Sequence, residues 1–272
     1  MNSNWLNYYW RLYRTNLKVS IMDQIQYRAS GMIWMIGGVL EPTIYLIVWS
    51  TVAEANGGSV GGFTAREFAA YYIVLLLINH LTFSWLMQVF QFRIQYGELS
   101  YDLLRPVHPI HKDITDNIAY KIVQMTIMIP AMITLIVLFD PLFNFQLDNT
   151  LLAIPVIILA FAVRFLLEWS LALVAFWTTR VTAINNTYFA ISMFLSGRIA
   201  PIALLPLWLQ PVAETLPFYY FIAFPAEVLL GRLDASSIGS GIGHLVIWLA
   251  MAILLLNFCW KRGVKAFSAV GG

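Results

Sequence analysis

The sequence predicts an all-α membrane protein with six transmembrane helices, and two features of the chain support this fold class. Hydrophobic residues make up 60% of the 272 residues and charged residues only 11%, whereas soluble domains carry about 25% charged residues. Six apolar runs follow one another, and most are long enough to cross a hydrocarbon core of roughly 30 Å as helices. They lie at 31–53, 69–91, 118–139, 151–177, 182–205 and 241–260. Little sequence remains between them, so we expect one membrane domain over 1–272.

The distribution of charge predicts the orientation of these spans. Most of the 16 Lys and Arg residues fall in the N-terminal segment, in the second-to-third and fourth-to-fifth connections, and in the C-terminal tail. Because basic residues concentrate on the cytoplasmic side of membrane proteins, we expect both termini in the cytoplasm. Seven acidic residues fall on the opposite side: Glu54, Glu67, Asp140, Asp148, Glu214, Glu227 and Asp234.

Residues 4–28 precede the first span and have the pattern of a helix that lies in the membrane interface. Asn4, Asn7, Arg11, Arg14 and Lys18 follow one another at intervals of three and four residues, which places them on one helix face. Aromatic residues flank this polar stripe. A basic stripe beside aromatic residues is typical of a helix that rests on lipid headgroups.

The region after the fifth run predicts short, broken helices rather than a straight span. Five of the eleven prolines lie between Pro201 and Pro225, although the segment stays apolar. Proline ends or kinks a helix, and irregular backbone at membrane depth is tolerated only inside protein or beside a wet cavity. We therefore expect broken, re-entrant helices over 199–230 on the outer side.

Four polar side chains inside the apolar runs are candidates for a functional or packing role. Arg164 and Glu168 lie four residues apart in the fourth run, hence on one helix face. An unpaired Arg at a helix centre costs about 2.5–3.5 kcal/mol, so Arg164 requires a partner. The pair either fixes helix packing or marks a substrate path or a subunit contact. Glu41 in the first run and His80 in the second have the same two interpretations.

Two common motifs of catalytic centres are missing from the sequence. It contains no G-x-x-x-x-G-K-[ST] phosphate-binding loop and no H-E-x-x-H metal motif. His108 and His111 are close together, but Pro109 separates them and no further His or Cys is near. We therefore expect no enzyme active site, no metal site and no cofactor on this chain.

The connection at 93–117 contains a short amphipathic helix. Leu99, Leu103 and Leu104 recur at helical spacing after Gly97, and Pro106 ends the segment. Alone, such a short helix is marginal in water, so it requires a membrane surface or a protein groove. The segment Gly97–Pro106 (GELSYDLLRP) resembles the coupling loop of type-2 permeases, the membrane domains of ATP-binding-cassette (ABC) exporters. The segments at 198–201, 205–206, 216–218 and 224–227 resemble the broken outer helices of the same family.

This resemblance implies a permease that works with a separate ATPase. Two permease chains, identical or paired with a sister permease, would join two copies of the ATPase subunit, which would bind ATP and Mg. The coupling role would fall to Gly97, Glu98, Leu99, Asp102, Leu103, Arg105 and Pro106. Leucines would fill a groove of the ATPase, while Glu98, Asp102 and Arg105 would set the register by charge.

We therefore expect an exporter permease in the bacterial plasma membrane, surrounded by lipid and without a nucleic-acid partner. Its aromatic, Leu-rich composition favours an amphiphilic or hydrophobic cargo such as a lipid, glycan, peptide or drug. An ion-gradient-driven secondary transporter is the alternative. It would bring ionisable residues together near the midplane and would work without an ATPase. A membrane-embedded enzyme or a scaffold is a further, less favoured alternative.

Overall fold

The computed structural model describes residues 3–178 and 181–267, and these ranges are almost entirely helical. Helices α1 (Ser3–Gln26) and α2 (Arg28–Ala55) are followed by a hairpin of β1 (Ser59–Val60) and β2 (Phe63–Thr64). Then come α3 (Ala65–Thr82), α4 (Leu86–Gln95), α5 (Glu98–Leu103), α6 (Ile110–Phe139), α7 (Leu147–Ala172) and α8 (Thr182–Leu195). A 3-10 turn at Leu173–Phe176 extends α7.

The last part of the described chain contains four short helical segments and one long helix. The short segments are a 3-10 turn at Ile202–Leu204, α9 (Gln210–Thr215), α10 (Pro217–Phe221) and α11 (Ala223–Leu229). The long helix α12 (Ala235–Ala266) follows. The broken helices predicted over 199–230 are therefore present. Pro211 and Pro217 lie in the first turns of α9 and α10, where a missing N–H breaks no helical hydrogen bond.

Five segments of the described chain are long and apolar enough to cross a membrane. They are Ala29–Ala55, Ala65–Gln95, Ile110–Phe139, Leu147–Phe176 and Ala235–Ala266. The all-α membrane class is confirmed, but the sixth span is not. The predicted span at 182–205 contains the 14-residue helix α8, which is about 21 Å long at 1.5 Å per residue and is shorter than the hydrocarbon core.

The second membrane segment is interrupted, which the sequence did not predict. Helix α3 ends at Thr82, the residues Phe83, Ser84 and Trp85 are not helical, and α4 starts at Leu86. The apolar run at 69–91 gave no sign of this break, because it has no Pro or Gly at that point. The break divides the segment into the buried helix α3 and the short helix α4, which leads to α5.

Helix α3 lies at the centre of the main hydrophobic core. Nearly all residues from Phe68 to Leu76 are buried, so the helix is covered on every side. Helices α2, α6, α7 and α11 pack around it. Helix α1 packs along α6, and α12 packs along α7. A second buried cluster, which includes Phe90, Leu99 and Trp169, connects α4, α5 and α7.

The connection between α2 and α3 contains a tight hairpin that leads into α3. Ser59 pairs with Thr64, and Gly61 and Gly62 both have positive φ, as a two-residue hairpin turn requires. Thr64 caps α3 and Glu67 completes a capping box. The segment 57–61 also has the letters of the G-x-S-x-G nucleophile motif. That motif needs its Ser at a strand-to-helix turn, and Ser59 lies instead in the exposed first strand of the hairpin.

The turn after α8 is fixed to the core by its backbone. Gly197 has a φ of +80°, and its carbonyl accepts a 2.9 Å hydrogen bond from the hydroxyl of Tyr71. Two residues later, the carbonyl of Ile199 accepts a hydrogen bond from the hydroxyl of Tyr72 at 2.8 Å and another from Nε1 of Trp49 at 2.7 Å. Three aromatic side chains of α2 and α3 therefore hold the start of the broken-helix region.

Candidate functional site

The segment predicted to couple the chain to a partner forms the short helix α5. Gly97 has a φ of +72° directly before it, a backbone conformation that glycine adopts without strain. The helix covers Glu98–Leu103, so its predicted position between Gly97 and Pro106 is confirmed. Leu99 is fully buried in the cluster with Phe90 and Trp169. The inner face of α5 is therefore fixed to the membrane domain.

The outer face of α5 differs from the predicted one. Tyr101 is 70% exposed and Leu104 is 84% exposed, and Glu98, Arg105 and Pro106 are also exposed. Leu99 and Asp102 face the interior and Leu103 is half-buried. The predicted contacts of Leu99 with a partner's groove and of Asp102 across that interface require exposed side chains, whereas both are buried here; the coupling role of the segment stays a prediction. The exposed surface of α5 is formed by Tyr101 and Leu104 with the charges of Glu98 and Arg105.

An ion-pair network lies behind α5 and joins three helices. Arg93 of α4 donates a 2.6 Å hydrogen bond to Oδ1 of Asp113 in α6, and its other terminal nitrogen lies 3.9 Å from Asp116. Nε1 of Trp169 in α7 donates to Oδ2 of Asp113 at 2.9 Å. The sequence analysis did not single out Arg93, Asp113 or Trp169. Opposite charges at both ends of the 93–117 connection were the available signal.

Helix α1 contacts the same network. Ser20 donates a 2.5 Å hydrogen bond to Asp116, and the hydroxyl of Tyr13 lies 2.8 Å from Nδ1 of His111. The N-terminal helix is thus attached to the beginning of α6. It is not an isolated surface helix.

The predicted intramembrane pair is at the centre of a second, fully buried polar cluster. Nε of Arg164 donates to Oε1 of Glu168 at 2.9 Å, so the two side chains of α7 pair as their spacing predicted. Arg164 also donates to Asn79 at 3.1 Å and to Thr82 at 3.0 Å, both in α3. The pair therefore binds across helices as well as within one.

The break between α3 and α4 is stabilised by this cluster. Ser84 donates a hydrogen bond to Oε2 of Glu168, and Nζ of Lys121 donates to the carbonyl of Phe83 at 2.8 Å. His80 contacts the carbonyl of Lys121 at 3.1 Å. Side chains from α6 and α7 thus bind the backbone and side chains that the break leaves without helical partners. Lys121 and Ser84 are residues that the sequence analysis did not single out.

The buried cluster contains more basic than acidic side chains. Arg164 is 1% exposed, Lys121 9% and Glu168 0%. Glu168 pairs directly with Arg164, whereas Lys121 binds the carbonyl of Phe83. Burial of charge without a partner is expensive in a membrane. The negative charge of the Glu168 carboxylate therefore compensates much of the buried positive charge in this region.

Glu41, the remaining intramembrane candidate, is not bonded to this cluster. It forms an ion pair of 2.6 Å with Arg198, next to the turn fixed by Tyr71 and Trp49. The contact ties α2 to the start of the broken-helix region. As for metals, the described ranges contain no group of three or more His, Cys, Asp or Glu side chains able to hold an ion.

Comparison with known proteins identifies the family. Residues 39–271 match the model of a family described as ABC-2 family transporter protein. The matched range contains α5, the buried cluster and the broken helices, and α1 lies before it. No curated protein matches the chain significantly.

Proposed function

The chain belongs to the ABC-2 family of transporter proteins, and from this premise we propose that it is the permease subunit of an ATP-driven exporter. Two permease chains, a homodimer or a pair with a sister permease, would join two copies of a separate ATPase subunit. That subunit would bind ATP and Mg. The cargo would be an amphiphilic or hydrophobic molecule that moves outward.

The observation that carries this proposal is the contrast between the two faces of α5. Leu99 is fully buried, whereas Leu104 is 84% exposed and Tyr101 70% exposed. A six-residue helix with exposed apolar side chains is not stable by itself in water. Its inner anchor and its exposed outer face fit a segment that docks into a groove of another protein. The ATPase is the partner that the family membership supports.

The contacts behind α5 support a route for the motion. ATP binding would draw the two ATPase subunits together and push α5 towards the membrane. Leu99 would pass this displacement to Phe90 and Trp169 in its cluster. Arg93 and Asp113 would keep α4 and α6 together during the movement, since their atoms lie 2.6 Å apart.

We place the chain in a bacterial plasma membrane with both termini in the cytoplasm, because basic residues concentrate on that side. The sixth crossing would combine α8 with the segment 196–205, since α8 alone is too short. Helix α1 would lie in the inner interface, where Trp5 and Trp10, 63% and 69% exposed, would meet the headgroups.

Affinity purification of the tagged chain from its native membrane in mild detergent tests the proposal. A soluble ATPase should copurify with the wild-type chain and should be lost from a Tyr101→Ala, Leu104→Ser variant. The matched control is Leu207→Ser with Trp208→Ala, since these side chains are 84% and 74% exposed and lie on the predicted outer side. Equal copurification with both variants, or no ATPase with any folded chain, would contradict the proposal.

The buried cluster is the observation that favours the gradient-driven alternative. His80, Lys121, Arg164 and Glu168 come together there, as a transporter coupled to an ion would require. Family membership favours the ATP-driven exporter. Vesicles reconstituted with the permease alone separate the two functions, because only a gradient-driven transporter would move cargo in response to a pH gradient without ATPase.

A further inference from the structure

A cavity of about 720 Å³ lies between α1, α4, the segment after α5 and the first turns of α6. Its volume is within the range of small-molecule sites, roughly 300–1,000 Å³. It extends from Trp85, at the break in the second membrane segment, to Asp102 and Pro106 at α5. The cavity therefore connects the region of the buried cluster with the segment proposed to bind the ATPase.

The wall of the cavity is aromatic and apolar on α4 and α6 near the break and charged near α5, and Asp23 and Gln24 of α1 also line it. Trp85, Leu86 and Val89 of α4 and Tyr120 of α6 line the end near the break. Asp102, Asp113 and Asp116 line the end near α5 together with Arg93. An amphiphilic molecule fits this division, because its apolar part and its polar group each meet a matching surface.

Carboxylates outnumber basic groups in the inner wall. Asp102 and Asp113 are 9% and 1% exposed, and Arg93, 7% exposed, is the buried cation among them. Arg93 is already engaged by Asp113 at 2.6 Å and lies 3.9 Å from Asp116. The other two basic residues of the wall, Arg105 and Lys112, are exposed to solvent. The interior of the charged end therefore has an excess of negative charge.

Asp102 is the carboxylate with the weakest compensation. Within the ranges that the structure describes, its side chain accepts no hydrogen bond, and its ion-pair contact is with Arg105 at 3.8 Å. The side chain of Arg105 is itself 66% exposed, and Arg93 acts on Asp102 only at longer range. The Asp102 side chain is 12% exposed and lines the cavity, where a cation would approach its carboxylate more closely than Arg105 does.

His108 does not supply that charge. It lines the cavity in the connection between α5 and α6. Burial, together with a smaller effect of the neighbouring His111, lowers the pKa of His108 to about 4. At neutral pH the His108 imidazole is therefore uncharged.

We propose that this cavity is the loading site for an amphiphilic organic cation, whose charged group binds beside Asp102 and Asp116 and whose apolar body packs on Trp85 and Tyr120. The inference rests on the proposed function, because it names the class of cargo that the permease takes from the cytoplasmic side. Trp and Tyr rings also attract cations through their faces. Since Asp102 belongs to α5, the cargo would contact the coupling segment directly.

The test is a binding measurement on the full chain in lipid nanodiscs without ATPase. Two probes of nearly equal size and opposite charge are compared by equilibrium dialysis, tetraphenylphosphonium and tetraphenylborate, and binding to empty nanodiscs is subtracted. We expect saturable binding of one tetraphenylphosphonium per chain and no saturable binding of tetraphenylborate. Equal binding of both probes, or none of the cation, would overturn the proposal.

Variants locate the site. Asp102→Asn and Asp116→Asn should each weaken tetraphenylphosphonium binding about tenfold, the effect of losing one charge-assisted contact. Asp116 provides the second variant in case Asp102→Asn perturbs α5, since the Asp116 side chain is 35% exposed. The matched control is Asp148→Asn, an exposed carboxylate outside the cavity. Unchanged affinity in both cavity variants, with the elution profile of the folded chain, would place the cation elsewhere.

The result is independent of the ATPase experiment. Cation binding without a copurifying ATPase would leave the site in place and reject the ATP-driven function. A copurifying ATPase without cation binding would reject the cargo class and leave the permease function in place.

Discussion

Nε1 of Trp169 donates a 2.9 Å hydrogen bond to Oδ2 of Asp113, and this bond joins α7 to α6 directly behind α5. The other oxygen of Asp113 binds Arg93 of α4. The residue before Trp169 is Glu168, which binds Arg164 and Ser84 in the buried cluster. Two consecutive residues of α7 therefore connect the region behind α5 with the break between α3 and α4.

Trp169→Phe should lower the free energy of unfolding by about 2 kcal/mol, because it removes a hydrogen bond to a charged group while keeping an aromatic ring. The ring contacts with Phe90 and Trp260, at centroid distances of 5.2 and 5.3 Å, should be largely retained. Thermal unfolding of the detergent-solubilised chain measures the change. Trp177→Phe is the control, since Trp177 is 51% exposed; equal unfolding midpoints for both variants would show that the bond contributes nothing.

Glu168→Gln should be the most destabilising single change in the buried cluster. It leaves the buried guanidinium of Arg164 without its acidic partner, and loss of one member of a buried ion pair costs about 3–5 kcal/mol. Asp140→Asn also removes a carboxylate charge, but from the exposed pair with Arg66. It should lower the free energy of unfolding by less than about 1 kcal/mol. Intrinsic fluorescence during heating in detergent compares the two variants.

A double variant tests the cause of that loss. Glu168→Gln combined with Arg164→Gln removes one buried basic group together with the carboxylate, so it should be more stable than Glu168→Gln alone. If the double variant is less stable than the single one, the hydrogen bonds of Arg164 with Asn79 and Thr82 outweigh the cost of its unpaired charge.

Local signals predicted the position of α5 but not the direction of its faces. Gly97 lies before the helix and Pro106 after it. Both residues restrict their own backbone, so the sequence alone predicts where the helix begins and ends. The buried side of α5 depends on contacts with other helices. Leu99 packs with Trp169, which is 70 positions later in the sequence, and Asp102 lies within the field of Arg93. A leucine pattern within the segment cannot supply that information.

The break at 83–85 escaped prediction for the same reason. Phe83, Ser84 and Trp85 carry no helix-breaking signal, and hydropathy continues through them. The break exists because Lys121 donates to the carbonyl of Phe83 and Ser84 binds Glu168. Both compensating groups come from other helices. The pairing of Arg164 with Glu168, by contrast, followed from a spacing of four residues in one helix.

The stability of the chain should depend on His108 between pH 6.5 and pH 4. An unfolded His has a pKa of about 6.5, whereas burial lowers the pKa of His108 to about 4. The unfolded chain therefore binds more protons in this window. The stabilisation from neutral His108 is complete above pH 6.5 and is lost as the pH falls to 4.

His108→Phe should flatten the pH dependence, because the ring stays beside Trp260, 4.3 Å away between centroids, and no longer titrates. Unfolding midpoints of both chains at pH 7, 6 and 5 measure the effect. The wild-type chain should lose more stability than the variant over this range. Parallel curves would mean that His108 is exposed enough to titrate normally.

Gly197→Ala should destabilise the start of the broken-helix region. Gly197 has a φ of +80°, and an added Cβ would lie 2.6 Å from the hydroxyl of Tyr71 and 2.6 Å from Cβ of Ala223. A strained backbone costs about 1–3 kcal/mol, and overpacking adds a similar amount. The Ala side chain would also push away the hydroxyl that binds the carbonyl of Gly197. The unfolding midpoint should therefore fall clearly below that of the wild-type chain.

Gly37→Ala is the matched control for this change. Gly37 lies inside α2, and an added Cβ there meets nothing within 4 Å. Since Ala favours a helix over Gly by about 1 kcal/mol, Gly37→Ala should keep or raise the midpoint. If both variants unfold at the wild-type temperature, the turn at Gly197 does not hold the backbone as tightly as its contacts with Tyr71 imply. Arg198, which follows it and pairs with Glu41, would then be free to move.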